Sequence, residues 1–330
     1  MKKSILIVLM LLLLGGCTNG PKDVDVYEGT GAVTVDTANN APTSEIFESS
    51  EFLIATEIAN NGAYDLIGQD NGVISMEYDT FYIEPEETPF STNDYVTFTL
   101  NGRSLEYPRG ERDRINLGRF HARELQSQDP SATTDIEIEA CYPYETTYSQ
   151  QICIDTDIFE EVENPICRNP GSYRSSGQGA PLTVSNVDVE MIPEQIREEP
   201  SQANIVDPMF DSQNYDELYE ITPRVTITFE NRGEGTVYRI ANRFVRGSTE
   251  EACRARSSRT RHEFDFNASL ATTPLDCFTE TPRLERGQTE VVCEAREPVS
   301  IPQNIERSLN IEMRYLYTTG HTETITITRR

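Results

Sequence analysis

The feature that most limits the fold of this chain is a period of two in its apolar residues. From Glu51 onward, apolar side chains recur at every second position between turn signals such as Asn60-Asn61-Gly62 and Asn101-Gly102, which is a type I′ hairpin dipeptide. No stretch shows a convincing long amphipathic helix. Arg112 to Leu125 is the best candidate, and it fits a strand followed by a loop equally well. The sequence therefore predicts an all-β fold.

Two short patterns occur twice in the same order. The pattern at 58–62 (Ile-Ala-Asn-Asn-Gly) returns at 229–233 (Phe-Glu-Asn-Arg-Gly), an offset of 171 positions from Asn60 to Asn231. The pattern at 138–144, which ends in Tyr-Pro-Tyr, returns at 311–317, an offset of 173 positions from Tyr142 to Tyr315. Two matches at nearly one offset indicate tandem copies of one β domain. We predict two immunoglobulin-like β-sandwiches, each with about seven strands and each with a hairpin after its Tyr-x-Tyr element.

Composition shifts give the expected boundaries. The run after Cys17 is polar and is typical of a tether, with a first short strand at Val33-Thr34-Val35, and an acidic insertion with Pro200 and Pro208 interrupts the second copy. The predicted division is a signal peptide at 1–16, a lipidated N-terminus and tether at 17–44, a first sandwich at 45–156, a linker at 157–180, and a second sandwich at 181–330 with the insertion at 193–220.

The N-terminus has the pattern of a lipoprotein signal. Lys2 and Lys3 precede an unbroken apolar run from Ile5 to Leu14, and Gly15-Gly16 stand directly before Cys17. The run is too short for a permanent transmembrane helix and has the length of a secretory apolar region. We predict that Cys17 is lipidated and that the chain is extracytoplasmic, anchored by lipid to the outer face of the cell membrane. The alternatives are an uncleaved anchor or a fortuitous cysteine.

The charge balance excludes one class of partner. Lys+Arg 28 against Asp+Glu 55 gives a net charge of −27, which excludes nucleic acid as a partner on electrostatic grounds. Only Lys2, Lys3 and Lys22 are lysine, so the predicted folded part has arginine as its sole strong base. An acidic, lysine-poor surface resembles halophilic proteins, whose self-repulsion is screened by salt. Drift toward arginine codons is the alternative.

Six cysteines besides Cys17, an even number in an oxidising compartment, predict three disulfides. Zinc is disfavoured because the chain has no CxxC pair. Strand alternation places Cys141 and Cys153 on one face of a hairpin centred near Thr147, and Cys277 and Cys293 flank a turn at Glu285-Arg286-Gly287. The predicted pairs are Cys141 with Cys153, Cys277 with Cys293 and, by elimination, Cys167 with Cys253.

Signals of a chemical site are weak. Asp155, Asp157 and Glu160 crowd the exit of the first predicted sandwich, where carboxylates could bind calcium, although in a chain this acidic a solvated acidic run is the favoured explanation. Asn267-Ala268-Ser269 is a sequon for glycosylation. No catalytic motif is present, and His121, His262 and His321 lie far apart in the sequence. We therefore expect no enzymatic activity and no cofactor other than possible Ca²⁺.

Several motifs carry a resemblance to known proteins. The chain resembles the cell-adhesion-related Ig-like domains of prokaryotic surface proteins and archaeal surface lipoproteins, on residues 61–64 (Asn-Gly-Ala-Tyr), 141–146 (Cys-Tyr-Pro-Tyr-Glu-Thr), 153–155 (Cys-Ile-Asp) and 177–181 (Gly-Gln-Gly-Ala-Pro). The resemblance covers most of the chain after Cys17 but rests on architectural motifs, and it implies no activity.

The expected role is a non-catalytic surface protein for adhesion, spacing or protein–protein contact. Its partners would be the membrane, through the lipid anchor, and an envelope protein, surface protein or glycan. The alternative is a lipoprotein that captures a ligand for a transporter or envelope complex, which predicts a concave pocket. A hydrolase with an inward-facing carboxylate pair is a third possibility.

Overall fold

The computed structural model of the protein describes residues 26–91, 95–126, 130–156, 164–195, 219–240, 248–299 and 304–330. The signal peptide, Cys17 and most of the acidic insertion lie outside these ranges, so the structure does not test those predictions.

The all-β prediction is confirmed, since β-strands make up most of the described chain. Apart from two short 3₁₀ turns, the one helix among the described residues is α1 (Thr249–Arg254). The strands are β1 (Val33–Thr37), β2 (Glu45–Phe47), β3 (Glu51–Asn60), β4 (Gly72–Tyr78), β5 (Ile83–Glu87), β6 (Val96–Phe98), β7 (Arg112–Ala122), β8 (Ser131–Ile154), β9 (Ser172–Arg174), β10 (Leu182–Gln195), β11 (Tyr219–Asn231), β12 (Thr236–Tyr238), β13 (Asp265–Leu270), β14 (Thr273–Cys277), β15 (Gln288–Ala295) and β16 (Ile305–Thr328).

The ambiguous segment 112–125 forms a strand followed by a short loop. Strand β7 lies between β3 and β5, and its inward residues Leu117, Phe120 and Ala122 are buried. A period of two with alternate burial is what a strand in a two-layer protein requires. The predicted first strand is also present, because Val33-Thr34-Val35 belong to β1, which pairs with β3.

The strands form two sheets around a shared apolar core. The smaller sheet has the order β1-β3-β7-β5, and the larger one runs β6-β4-β8-β16-β13-β14-β15-β11-β10-β9, with β2 and β12 also pairing β16. All pairings are antiparallel except that of β2 with β16. Buried side chains from Val33 to Ile327 form one contiguous cluster between the layers. This is an all-β sandwich architecture.

Two strands of unusual length form the centre of the larger sheet. Strands β8 and β16 have 24 residues each and pair along their whole length, from Ser131↔Thr328 to Ile154↔Ile305. At about 3.3 Å per residue each extends for roughly 80 Å. The predicted hairpins after Tyr144 and after Tyr317 are therefore wrong. Residues 145–149 (Glu-Thr-Thr-Tyr-Ser) include no Gly, Pro or Asn, and their Thr and Tyr residues favour a continuous strand.

The sequence repeat corresponds to an approximate two-fold relation in space. Tyr142 pairs with Tyr317 and Tyr144 with Tyr315, so the axis passes between Pro143 and its partner Leu316. Residues 173 positions apart therefore exchange places about this axis. We call the part of the molecule around β3, β4 and β7 the first half, and the part around β10, β11, β13 and β15 the second half.

Hydrogen bonds repeat across this axis as well. Asn60 Nδ2 donates to the Tyr64 carbonyl oxygen at 2.7 Å, and Asn231 Nδ2 donates to that of Gly235 at 2.9 Å. The backbone N–H of Val33 donates to the Tyr142 hydroxyl at 3.1 Å, as that of Leu182 does to the Tyr315 hydroxyl at 3.3 Å. The two halves thus share local geometry, while the division into domains at 156 and 181 stays a prediction.

The disulfides agree with one predicted pair and correct the other two. Cys277 joins Cys293 across β14 and β15, as predicted. Cys141 joins Cys253, and Cys153 joins Cys167, so the predicted pairs Cys141 with Cys153 and Cys167 with Cys253 are wrong. Because β8 does not turn, Cys141 and Cys153 lie twelve residues apart on one strand, about 40 Å, whereas a disulfide requires Cα atoms within roughly 7 Å.

Candidate functional site

The predicted calcium site is only partly within the described residues. Asp155 follows the end of β8, whereas Asp157 and Glu160 lie outside the described ranges. Among the residues that the structure describes, no group of three or more His, Cys, Asp or Glu side chains is placed to hold a metal ion. Calcium binding therefore stays a prediction.

The three histidines lie on separate elements. His121 is in β7, and His321 is in β16 with its Nε2 3.3 Å from a Glu323 carboxylate oxygen. His262 occupies a turn with φ 67°, where burial together with Arg261 and Arg283 lowers the pKa of its imidazole. The three rings thus lie on separate elements, and none belongs to a possible metal-binding group of His, Cys, Asp or Glu among the residues that the structure describes.

Four buried tyrosines surround the approximate axis. The ring centroids of Tyr142 and Tyr317 are 5.9 Å apart, and those of Tyr144 and Tyr315 are 6.0 Å apart. Burial raises the pKa of all four hydroxyls, that of Tyr317 to about 12. The rings are therefore neutral at ordinary pH.

Their hydroxyls tie distant segments to the central strands. The Tyr144 hydroxyl donates to the Gly179 carbonyl oxygen at 3.0 Å and accepts from the Tyr64 N–H at 3.3 Å. The Tyr317 hydroxyl contacts Asn231 Oδ1 at 3.2 Å and accepts from the Gly235 N–H at 2.8 Å. This cluster is structural, and the sequence reasoning missed it because it took Tyr-x-Tyr only as the end of a strand.

Helix α1 fastens the second half of the chain to the outer face of the first. Its Cys253 forms the disulfide with Cys141 of β8, and Arg256, just after the helix, pairs with Glu139 at 2.6 Å. Thr249 Oγ1 donates to the Gln69 carbonyl oxygen at 3.2 Å. Cys141 does face away from the main core, as alternation predicted, but α1 covers it.

A sequence signal for α1 exists. Ser248 Oγ accepts a hydrogen bond from the Glu251 N–H at 3.3 Å, which is the N-cap contact of a Ser-x-x-Glu motif. This motif could have identified the helix.

A cleft of about 810 Å³ lies between β13 and the segment 274–281, and we call it the seam cleft. Two ion pairs lie on its walls: Arg239 Nε is 2.8 Å from Asp265 Oδ1, and Arg296 Nε is 2.8 Å from Asp276 Oδ1. The remaining lining residues are Phe266, Asn267, Ala268, Ser269, Pro274, Leu275, Cys277, Thr279, Glu280 and Thr281.

The predicted glycosylation residue lines this cleft. Asn267 is in β13 with its side chain exposed, so the sequon lies on a strand rather than in a loop. Its exposure is compatible with modification, and glycosylation stays a prediction. A smaller cavity of about 330 Å³ adjoins the cleft and shares Leu275 and Arg296 with it.

Comparisons with known proteins give little information about this chain. No protein-family model matches it, and no curated protein matches it. Among solved structures, one neighbour is an enterococcal surface protein, partial N-terminal region, which is 7% identical, with 95% of this chain and 97% of that chain covered and a TM-score of 0.18. That score is too low to support an argument about fold or function. None of the described helices is long and apolar enough to cross a membrane.

Proposed function

We propose that this protein is a non-catalytic surface protein, anchored outside the cytoplasm by a lipid on Cys17, that mediates adhesion, spacing or protein–protein contact. The observation that supports this most is the set of three disulfides. They involve all six cysteines that follow Cys17. Disulfides persist in oxidising compartments and are rare in the cytosol.

The shape of the central strand pair supports a role in spacing or presentation. Strands β8 and β16 run through both halves, and the disulfide of Cys141 with Cys253 spans 112 positions of the sequence. A disulfide that closes a long loop removes conformational freedom from the unfolded chain. A rigid body of this kind can hold a contact surface at a fixed distance from its anchor.

The polar groups of the seam cleft support a non-catalytic role. Asp265 and Asp276 are each paired with an arginine. A glycoside hydrolase instead needs two carboxyl groups that flank the scissile bond and are available to act on it. The arrangement thus fits a contact surface better than a hydrolase.

A second candidate function rests on the cleft itself. A ligand-capturing lipoprotein needs a concave site with convergent polar and aromatic groups, and the cleft contains Asn267, Phe266 and two ion pairs. Binding of a small polar solute by the purified protein, measured by calorimetry, would favour this alternative over a surface contact role.

The anchor is tested by changing the lipidated cysteine. Cys17→Ser should move the protein from the detergent phase to the aqueous phase or leave an uncleaved precursor, because serine cannot accept the thioether-linked lipid. Phase partitioning and intact mass measure both outcomes. Thr18→Ser is the matched control and should remain lipidated. If the native protein partitions into the aqueous phase, or if Cys17→Ser remains anchored with a cleaved N-terminus, the anchor proposal is wrong.

A further inference from the structure

Because the two halves are related by an approximate two-fold axis, the surroundings of the seam cleft can be compared with the equivalent region of the first half. In the first half, β4 pairs with the central strand β8 at Ile74↔Ala140. In the second half, β13 pairs with β16 at Phe266↔Met313, and Met313 lies 173 positions after Ala140. Strands β4 and β13 therefore occupy equivalent places beside the central pair.

The outer edge of β4 is covered by a further strand. Strand β6 pairs with it at Gly72↔Phe98, Val73↔Thr97 and Ile74↔Val96. Phe98 is buried and Thr97 is exposed, so β6 alternates apolar and polar side chains as it closes this edge. In the first half, the place that corresponds to the seam cleft is thus filled by an extended segment, β6.

The equivalent edge of β13 is open over most of its length. Strand β13 pairs with β14 only at Ser269↔Pro274 and Leu270↔Thr273. Beyond these residues β14 pairs with β15 instead, where the disulfide of Cys277 with Cys293 fastens it. The two strands therefore separate, and the cleft of about 810 Å³ lies between them.

Backbone groups of β13 point into this opening. The Ala271 N–H donates to the Ser308 carbonyl oxygen of β16 at 2.6 Å, and Leu270 faces Thr273 across the turn. Because the hydrogen-bonding direction alternates along a strand, Phe266 and Ala268 direct their N–H and C=O groups away from β16 and toward the cleft. Within the described residues, no strand pairs with them on that side.

We propose that the seam cleft binds an extended polypeptide segment of a partner protein, which adds to β13 as a strand. This inference rests on the proposed role in surface contacts and names the class of partner. The segment alternates apolar and polar side chains, as β6 does, and its apolar side chains pack against Phe266 and Leu275. Addition of a strand to a sheet edge obtains affinity from main-chain hydrogen bonds and specificity from alternate side chains.

Peptide chemistry fits the cleft better than sugar chemistry. A bound strand would satisfy the backbone groups of Phe266 and Ala268, which a sugar does not match in spacing. Four of the five charged side chains that line the cleft are engaged with one another, as Arg239 with Asp265 and Arg296 with Asp276, and Glu280 is the fifth. The hydrogen-bonding groups of the cleft that remain for a ligand are therefore mainly those of the main chain.

The probe for the test is a fluorescein-labelled peptide with the sequence of residues 95–100 (Tyr-Val-Thr-Phe-Thr-Leu), which includes the strand that closes the first seam. Fluorescence anisotropy with the disulfide-intact protein should show saturable binding below about 1 mM. A peptide with N-methyl groups on alternate amides should bind roughly tenfold more weakly or not at all, because it cannot donate the main-chain hydrogen bonds.

A matched pair of variants assigns the binding to β13. Ala268→Pro removes the N–H that faces the cleft and should weaken binding about tenfold, whereas Ala268→Ser keeps it and should bind like the native protein. Both proteins are prepared without N-glycosylation, because Ala268→Pro also removes the sequon at Asn267. If Ala268→Pro does not fold, the N-methylated peptides on the native protein decide the question.

Three results would overturn the proposal. The first is no binding of the probe at about 1 mM, and the second is equal binding of the plain and N-methylated peptides. The third is displacement of the probe by oligosaccharides that bind saturably at the same site, which would assign the cleft to sugars. None of these results bears on phase partitioning of Cys17→Ser. Failure of the strand-addition proposal is therefore distinguishable from failure of the anchor proposal.

Discussion

Ile138→Asp is expected to unfold both halves of the molecule in one transition. Ile138 is 1% exposed and lies in β8, where it faces the main core. An unpaired carboxylate there costs several kcal/mol. Strand β8 pairs with β16 along all 24 residues, and both strands run through both halves. Unfolding of β8 in the first half therefore also removes strand pairing on which the second half depends. Limited proteolysis and a thermal melt should show the loss of both halves together.

Two further variants serve as a symmetry-related replicate and as an exposed control for Ile138→Asp. Ile311→Asp, at the residue 173 positions later, should have the same effect because Ile311 is fully buried in β16. Thr133→Asp also places an aspartate in β8, but at an exposed position, and should leave the melting temperature nearly unchanged. Two separate tandem sandwiches would instead leave one half as a protease-resistant fragment in each isoleucine variant, and that fragment would contradict the shared-strand account.

Gly62→Ala should destabilise the protein by about 3 kcal/mol, because the added methyl group would overlap backbone atoms and a buried tyrosine hydroxyl. A Cβ at Gly62 would lie 1.8 Å from the Tyr144 hydroxyl, 2.8 Å from the Gly31 carbonyl oxygen and 2.9 Å from the Gly179 carbonyl oxygen. Two of these atoms are backbone, and the third belongs to the buried tyrosine cluster. Denaturant unfolding monitored by tyrosine fluorescence measures the loss.

Gly68→Ala is the matched control. Gly68 has φ 63°, but a Cβ there would meet nothing within 4 Å. Its cost is therefore that of the left-handed backbone alone, about 1 kcal/mol. If Gly62→Ala costs no more than Gly68→Ala, the segments around Tyr144 do not pack as closely as the structure indicates.

Patterns among neighbouring residues were sufficient to predict the strands and the internal repeat. Alternate apolar residues identify β3, β8 and β16 because burial on one face of a sheet imposes a period of two. The repeated Asn and Tyr-x-Tyr elements correspond to real equivalences, since Asn60 and Asn231 make the same hydrogen bond and the four tyrosines pair across one axis. Strand periodicity and short repeated motifs can be recognised because each is formed by residues that lie close together in the sequence.

Long-range partners could not be deduced in the same way. The hairpin predicted near Thr147, after the Tyr-x-Tyr element, is absent because β8 continues through it, and this hairpin led directly to the wrong partner for Cys141. The true partner, Cys253, lies on α1, whose position depends on contacts with Glu139 and Gln69 far away in the chain. The seam cleft likewise arises from the divergence of β14 toward β15, which leaves no local pattern in the sequence.

The central claim is that the two halves form one disulfide-joined body outside the cytoplasm, and non-reducing peptide mapping of protein isolated from its native envelope tests it most directly. The account predicts peptides that join Cys141 to Cys253, Cys153 to Cys167 and Cys277 to Cys293, with no free thiol among these six residues. A peptide that joins Cys141 to Cys153 would contradict the continuous strand β8, and free thiols at all six positions would contradict the oxidising location.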